Sequence, residues 1–208
     1  MNPTPTRPEA SINRLLTVLT PLGRTVEAVA RKKLGWHING QPVIYAHLKG
    51  ELSVSRVADG ILVATVLEPH IFGIAEVMQP LKAYQLRAET QSVLSRIDGD
   101  VALKAIERYG LWRDVAEVLS FHTNSMAYRD MQIVNRNTYQ IIRYYLMELE
   151  QLPEEIRMRV SILSYIQERT GLSRSSILNT ISSLKKDKHI VFARGGYLLE
   201  LHNLPDAR

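Results

Sequence analysis

Residues Val160–Leu201, VSILSYIQERTGLSRSSILNTISSLKKDKHIVFARGGYLLEL, decide the architecture of this chain. Ile162, Leu163 and Ile166 recur at helical spacing and predict one helix, which Gly171 ends. Ser173 is a ready N-cap, and Ile177, Leu178, Ile181 and Leu184 give the following helix an apolar stripe. Beyond Lys185, Lys186 and Lys188, two short apolar segments, Ile190 to Ala193 and Tyr197 to Leu201, flank Arg194-Gly195-Gly196, a turn that can close a hairpin. Two helices across a short turn, followed by a hairpin, predict a winged helix-turn-helix.

The second helix carries a polar face as well. Ser175, Asn179, Ser182 and Lys186 recur at three- and four-residue spacing away from the isoleucines, and none is bulky enough to hold a groove at a distance. Asparagine can bond an adenine edge through both amide groups, serine pairs with several bases, and Arg174 reaches guanine or phosphate. Ser173, Ser176 and Ser183 complete the candidate DNA-facing set, with Lys186, Lys188 and the wing-tip Arg194 supplying phosphate charge. A winged helix used for protein contacts, its serines a solvated face, is the alternative.

Ser173-Arg174 followed by Ile177, Ile181, Leu184 and Ile190 resembles the reading-helix segment of the cyclic AMP receptor protein and fumarate-nitrate regulator (CRP/FNR) superfamily, and the wing turn falls in the matching place. Where those relatives carry Glu and a second Arg, this chain has Ser175 and Asn179, so their target sequence does not carry over. The resemblance implies an α+β chain: an N-terminal cyclic-nucleotide-binding-like β-roll, or jelly roll, a long dimerisation helix and the winged helix-turn-helix.

Composition is compatible with that layout. The 208 residues are 45% hydrophobic and 23% charged, enough for two modest domains, with a net charge of +5. From Arg159 onward cations outnumber anions two to one, so the basic excess, which suits nucleic acid, sits mostly in the last quarter. The absence of cysteine removes disulfides, thiolate metal sites and thiol redox sensing and fits a reducing cytoplasm. No run approaches the roughly 20 apolar residues of a membrane span. Residues 1–10, with three prolines, read as a flexible arm rather than a signal peptide.

Ile12, Leu15, Leu16 and Leu19 predict a short helix ended by Pro21 and Gly23. Residues 11–110 then form the expected roll, cut into short β-branched runs by Gly35, Asn39-Gly40, Lys49-Gly50, Asp59-Gly60 and Gly73. The clearest hairpin joins Leu52–Val57 to Ile61–Leu67 across Ala58-Asp59-Gly60, where Asp-Gly favours a tight primed turn. Residues 44–54 are similar to the superfamily's apolar, Lys-Gly, apolar signature, and Ile71-Phe72-Gly73 sits where its phosphate-binding cassette begins. The family's ribose-binding Glu is Ile74 here, and Lys82-Ala83 stands for Arg-Ser. An apolar side chain cannot accept the ribose hydrogen bond and an amine lacks the bidentate fork, so no cyclic nucleotide is expected. Glu76, two residues late, is the residue that keeps the reading open. His37 and His47, ten apart, lack cupin spacing and read with His70 as core or surface histidines; no metal is assigned, while haem or metal stays open, as does an unknown small-molecule effector. No Walker loop, zinc-protease motif or Ser-His-Asp set points to an enzyme.

Asp98 or Asp100 can cap a helix that ends at Tyr109-Gly110. Residues 111–136 then give a long helix and hinge, in which Val115, Leu119, His122, Met126, Arg129 and Ile133 recur like a coiled-coil seam. By resemblance this helix pairs with its twin; Trp112, Val118 and Phe121 offer a second face for the chain's own roll. Asn137 or Thr138 caps the helix that opens the DNA-binding domain, residues 137–208. The implied homodimer would address a palindromic operator in double-stranded DNA. Tyr165–Thr170, Ser173-Arg174-Ser175 and the ending Leu204-Pro205 further resemble the enterobacterial inhibitor of hydrogen peroxide resistance family, which implies transcriptional control lowering peroxide tolerance.

Overall fold

The computed structural model describes residues 4–206. The chain divides into two compact units, one ending at Ala127 and one beginning at Tyr128. The first opens with α1 (Glu9–Leu19) and continues through β1 (Arg24–Ala28), β2 (Lys33–Leu34), β3 (His37–Ile38), β4 (Gln41–Lys49), β5 (Leu52–Arg56), β6 (Leu62–Val66) and β7 (His70–Phe72). After the short α2 (Ile74–Met78) come β8 (Tyr84–Ala88), β9 (Ser92–Asp98), α3 (Gly99–Arg108) and α4 (Trp112–Ile133). The second unit takes the end of α4, then α5 (Thr138–Glu150), α6 (Glu154–Arg157), α7 (Ile162–Arg169), α8 (Arg174–Lys186), β10 (Ile190–Phe192) and β11 (Leu198–Leu201).

The strands of the first unit form two antiparallel sheets, one ordered β1-β9-β4-β3 with β7 also on β4, the other β2-β8-β5-β6. Strand β4 shows why the roll is layered. Successive side chains leave a strand on opposite faces. Val43 and Tyr45 pack with Leu52, Leu86 and Leu94 between the sheets, while Ile44 and Ala46 pack against Ile12, Leu15, Leu19 and Ile106 of the helices. Both faces of β4 are therefore covered, which explains its nearly continuous apolar run. Each fully buried Leu or Ile in these layers contributes roughly 1.5–3 kcal/mol.

Several expectations take a different form. The Ala58-Asp59-Gly60 connection is not a tight primed turn: Val57–Gly60 form a longer loop closed by the Arg56 N–H on the Ile61 carbonyl at 2.9 Å. Asp59 is held inside it by the Arg56 guanidinium and the Ile61 N–H. Of the expected flexible arm, residues 1–3 lie outside the described residues. The rest is tied down: Glu9 and Ala10 begin α1, and the Arg7 guanidinium donates to the Pro69 carbonyl and pairs with Glu9 and Glu68.

In α4 the stripe Val115, Leu119, His122, Met126, Arg129 and Ile133 makes contacts within the chain. Val115 is buried in the helix-facing core of the roll and Leu119 packs on the same core. His122 meets His70, and Met126 takes a hydrogen bond from the Tyr84 hydroxyl at 3.4 Å. In the second unit Arg129 donates to the Arg169 carbonyl at 2.9 Å and Ile133 packs on that unit's own core. These contacts leave part of the stripe uncovered, Met126 being 36% exposed. Val118 and Phe121 do turn inward, whereas Trp112 is exposed and donates its indole N–H to Glu107. The face of α4 left exposed in the first unit carries Ala116, Ser120, Thr123 and Ala127.

Candidate nucleic-acid interface and roll cavity

The helix-turn-helix is built on Ile162, Tyr165, Ile166, Ile177, Ile181 and Leu184, all buried against Ile142, Leu146 and Leu149 of α5. Asn137 and Gln140 close a capping box at the start of α5. Ser161 caps α7, and the Gly196 carbonyl of the wing turn accepts the Ile162 N–H at 2.8 Å, fastening the hairpin to the start of that helix. Gly195 and Gly196 have φ of +96° and +82°, a region that disfavours residues with a Cβ, and so place the exposed Arg194 at the wing tip.

Helix α8 starts where Ser173 predicted. The Ser173 Oγ accepts the Ser176 N–H at 3.1 Å and lies 2.8 Å from the Ser176 Oγ and 3.0 Å from that of Ser175. Ser173 and Ser176 are thus engaged in the cap, a role distinct from base contact. Arg174, Ser175, Asn179, Ser182, Ser183 and Lys186 are exposed along the helix, and Lys188 just beyond it. At 3.6 residues per turn Ser183 lies about half a turn round from Arg174, at the margin of that face. Lys185 sits over the Phe192 ring at 4.5 Å, joining the end of α8 to the wing.

Leu178 changes role: grouped by spacing with the core stripe, it is 38% exposed, whereas Ile177 beside it is fully buried. Arg169 is buried, stacked on Tyr165 at 3.6 Å and bonded to the Tyr165 carbonyl at 3.2 Å. It braces the turn between α7 and α8, with Thr170 donating to the Ile166 carbonyl at 2.8 Å.

The roll holds a second candidate site, a cavity of about 670 Å³ lined by β6, β7, α2 and the first part of α4. Its walls are mostly apolar, among them Trp36, Val54, Phe72, Ile74, Leu119 and Met126. Gly73 enters α2 with φ of +97°, and a Cβ there would lie 2.7 Å from the Val43 carbonyl. Ile74, the first residue of α2, is buried. Glu76 lines the cavity half-buried, its carboxyl pushed up by burial. Arg87 is paired with Glu89 at 2.7 Å, and Arg7 at the cavity margin is held by Glu9 and Glu68.

The histidines converge in a way their spacing did not reveal. His47 and His70 are cross-strand neighbours on β4 and β7, and the His70 Nε2 lies 2.7 Å from the His122 Nε2 of α4. His37 is exposed on β3 and takes no part. Burial, then the nearby His122, Arg7 and His47, push His70 down to about 3; burial also lowers His47 and His122. All three are therefore neutral near pH 7. The His70 Nδ1 is buried without a partner. A bare acceptor costs less there than an orphaned N–H, so His70 donates from Nε2 and His122 accepts. The contact fastens β7 to α4. Among the described residues no three His, Asp or Glu side chains converge as metal ligands.

The profile of winged helix-turn-helix DNA-binding domains matches residues 138–206. The fold is shared with the c-di-GMP responsive global regulator CLP of Xanthomonas campestris, at TM-score 0.71 and 17% identity over 94% of this chain and 100% of that one. It is shared too with a CRP/FNR-family transcriptional regulator of Thermus thermophilus, at TM-score 0.60 and 18% identity over 86% and 94%. Fold and helix-turn-helix together define a CRP/FNR-like fold with a winged helix-turn-helix domain. In sequence, a Salmonella typhimurium protein, inhibitor of hydrogen peroxide resistance, is 32% identical over 76% of each chain. The chain belongs to the inhibitor of hydrogen peroxide resistance family.

Proposed function

We propose that this protein is a cytoplasmic, homodimeric, sequence-specific regulator that reads a palindromic operator with α8 and lowers tolerance to hydrogen peroxide. The observation that carries the reading is the division of α8: its isoleucines and Leu184 fill the core, while Arg174, Ser175, Asn179, Ser182 and Lys186 stand exposed beside the cationic wing. Arg174 and Asn179 read base edges; Lys186, Lys188 and Arg194 contact phosphates. Two such helices about 34 Å apart match one turn of duplex. The peroxide role rests on the name of the relatives, and with no cysteine in the chain it does not run through a thiol.

Dimerisation in this reading uses the exposed α4 face with Ala116, Ser120, Thr123 and Ala127, whose short side chains permit close helix approach. The roll acts as the sensor. Its apolar cavity, with neutral histidines and its lining Arg7 already paired, suits an uncharged, largely apolar effector better than a cyclic nucleotide.

The test is selection of duplexes from a random pool at two salt concentrations, with wild type and Asn179→Ala. A palindrome that persists at high salt and blurs at particular bases in the variant supports the regulator. Sequence-blind, salt-sensitive binding alone refutes it in favour of a winged helix that serves a protein partner.

A further inference from the structure

We infer that Leu178 is a specificity-determining residue that reads the 5-methyl group of a thymine; the inference rests on the proposal that α8 enters the major groove. Leu178 is 38% exposed although its helix has a complete apolar face in Ile177, Ile181 and Leu184, buried to 0%, 6% and 0% exposure. Its place on the helix explains the exposure. At 100° per residue Leu178 lies about 40° round from Arg174 and from Ser182, about 20° from Lys185 and about 60° from the buried Ile181, so it stands at the edge of the exposed polar arc. A leucine more than a third exposed between two cations and a serine leaves apolar surface uncovered by its own chain.

The major groove supplies one that fits. Among base edges presented there, the thymine methyl is the single apolar group, and it is met by apolar side chains. Leu178 occupies the second turn of α8, one turn beyond Arg174, so an arginine bonded to a guanine or a backbone phosphate would bring the leucine over a neighbouring base pair. Ser175 and Ser182 on either side are short enough to let it approach. Leucine offers nothing to an exocyclic amine or a carbonyl edge, so it also disfavours pairs whose polar edge it would cover.

The test uses the operator recovered by duplex selection, with each thymine replaced in turn by deoxyuridine, which keeps every hydrogen-bonding group and lacks only the methyl. Wild-type protein should lose about fourfold in affinity at one thymine, placed symmetrically in the two half-sites, the factor that burial of one methyl-sized group supplies. Leu178→Ala should bind the unmodified site more weakly and show no further loss on that substitution, with a melting temperature close to wild type because the side chain is exposed. Wild-type binding indifferent to every deoxyuridine overturns the inference while leaving the operator-reading proposal standing. The same loss in both proteins also overturns it, since another residue then reads the methyl. If no duplex is preferred at all, the inference falls together with the proposal beneath it.

Discussion

Lowering the pH from about 7 to 5 should destabilise the first unit through His70. The side chain is 3% exposed, and its folded pKa of about 3 lies below its usual 6.5. Because the folded value is depressed, the unfolded chain binds more protons below pH 6.5. The stabilising contribution is therefore complete above that pH and is lost as pH falls towards 3. At about 1.36 kcal/mol per pKa unit, this one group accounts for a loss of about 2 kcal/mol between pH 7 and 5. His47 and His122, shifted in the same direction, add to it. Both tryptophans, Trp36 and Trp112, lie in this unit, so urea unfolding followed by tryptophan fluorescence reports it. The control is His70→Phe, whose ring can take the place of the imidazole between Phe72 and Phe121. Its stability should fall by about 2 kcal/mol less than that of wild type over the same interval. Equal falls in the two proteins, or no fall in wild type, would refute the assignment of a neutral His70 pinned against His122.

Three further outcomes follow from named contacts. Ser173→Ala removes the acceptor of the Ser176 N–H, and should cost about 1 kcal/mol in the stability of the second unit by thermal unfolding, where Ser173→Asp should retain it. Ser120→Glu, on the exposed face of α4, should yield a monomer in sedimentation analysis, while a dimer that survives it would place the interface elsewhere. Ala64 faces Val54 across β5 and β6 at the cavity wall, so Ala64→Trp should fill the space and abolish binding of the uncharged probe phenylnaphthylamine, measured by its fluorescence. Wild type should bind that probe more tightly than its sulfonate analogue; the reverse order would sink the neutral-ligand reading.

Local rules were enough to read the second unit. Caps at Ser173 and Asn137, helical apolar spacing and a glycine-rich turn are short-range features whose physics is contained in a few neighbouring residues, and each element lies where those rules place it. The roll was legible as a class for the same reason, from its turns and its alternation. The Leu178 assignment failed because spacing alone does not say where an apolar face stops.

What only the tertiary structure decided is which face of α4 meets which neighbour, and which distant groups meet. A stripe with coiled-coil spacing looks the same in sequence whether a second copy or the chain's own roll covers it, since both bury apolar side chains at the same period. Val115 and Leu119 went to the roll because α4 follows α3 back across the sheet face that Ile44, Ala46 and Ile71 present. His70 and His122, 52 residues apart, share no local pattern at all. The sequence by itself determined the caps, the turns, the apolar residue Ile74 after Gly73 and the chemistry of the α8 face, because these are properties of single residues and their neighbours. The cavity, the histidine contact and the free face of α4 depend on packing between elements far apart in the chain, and came from the fold alone.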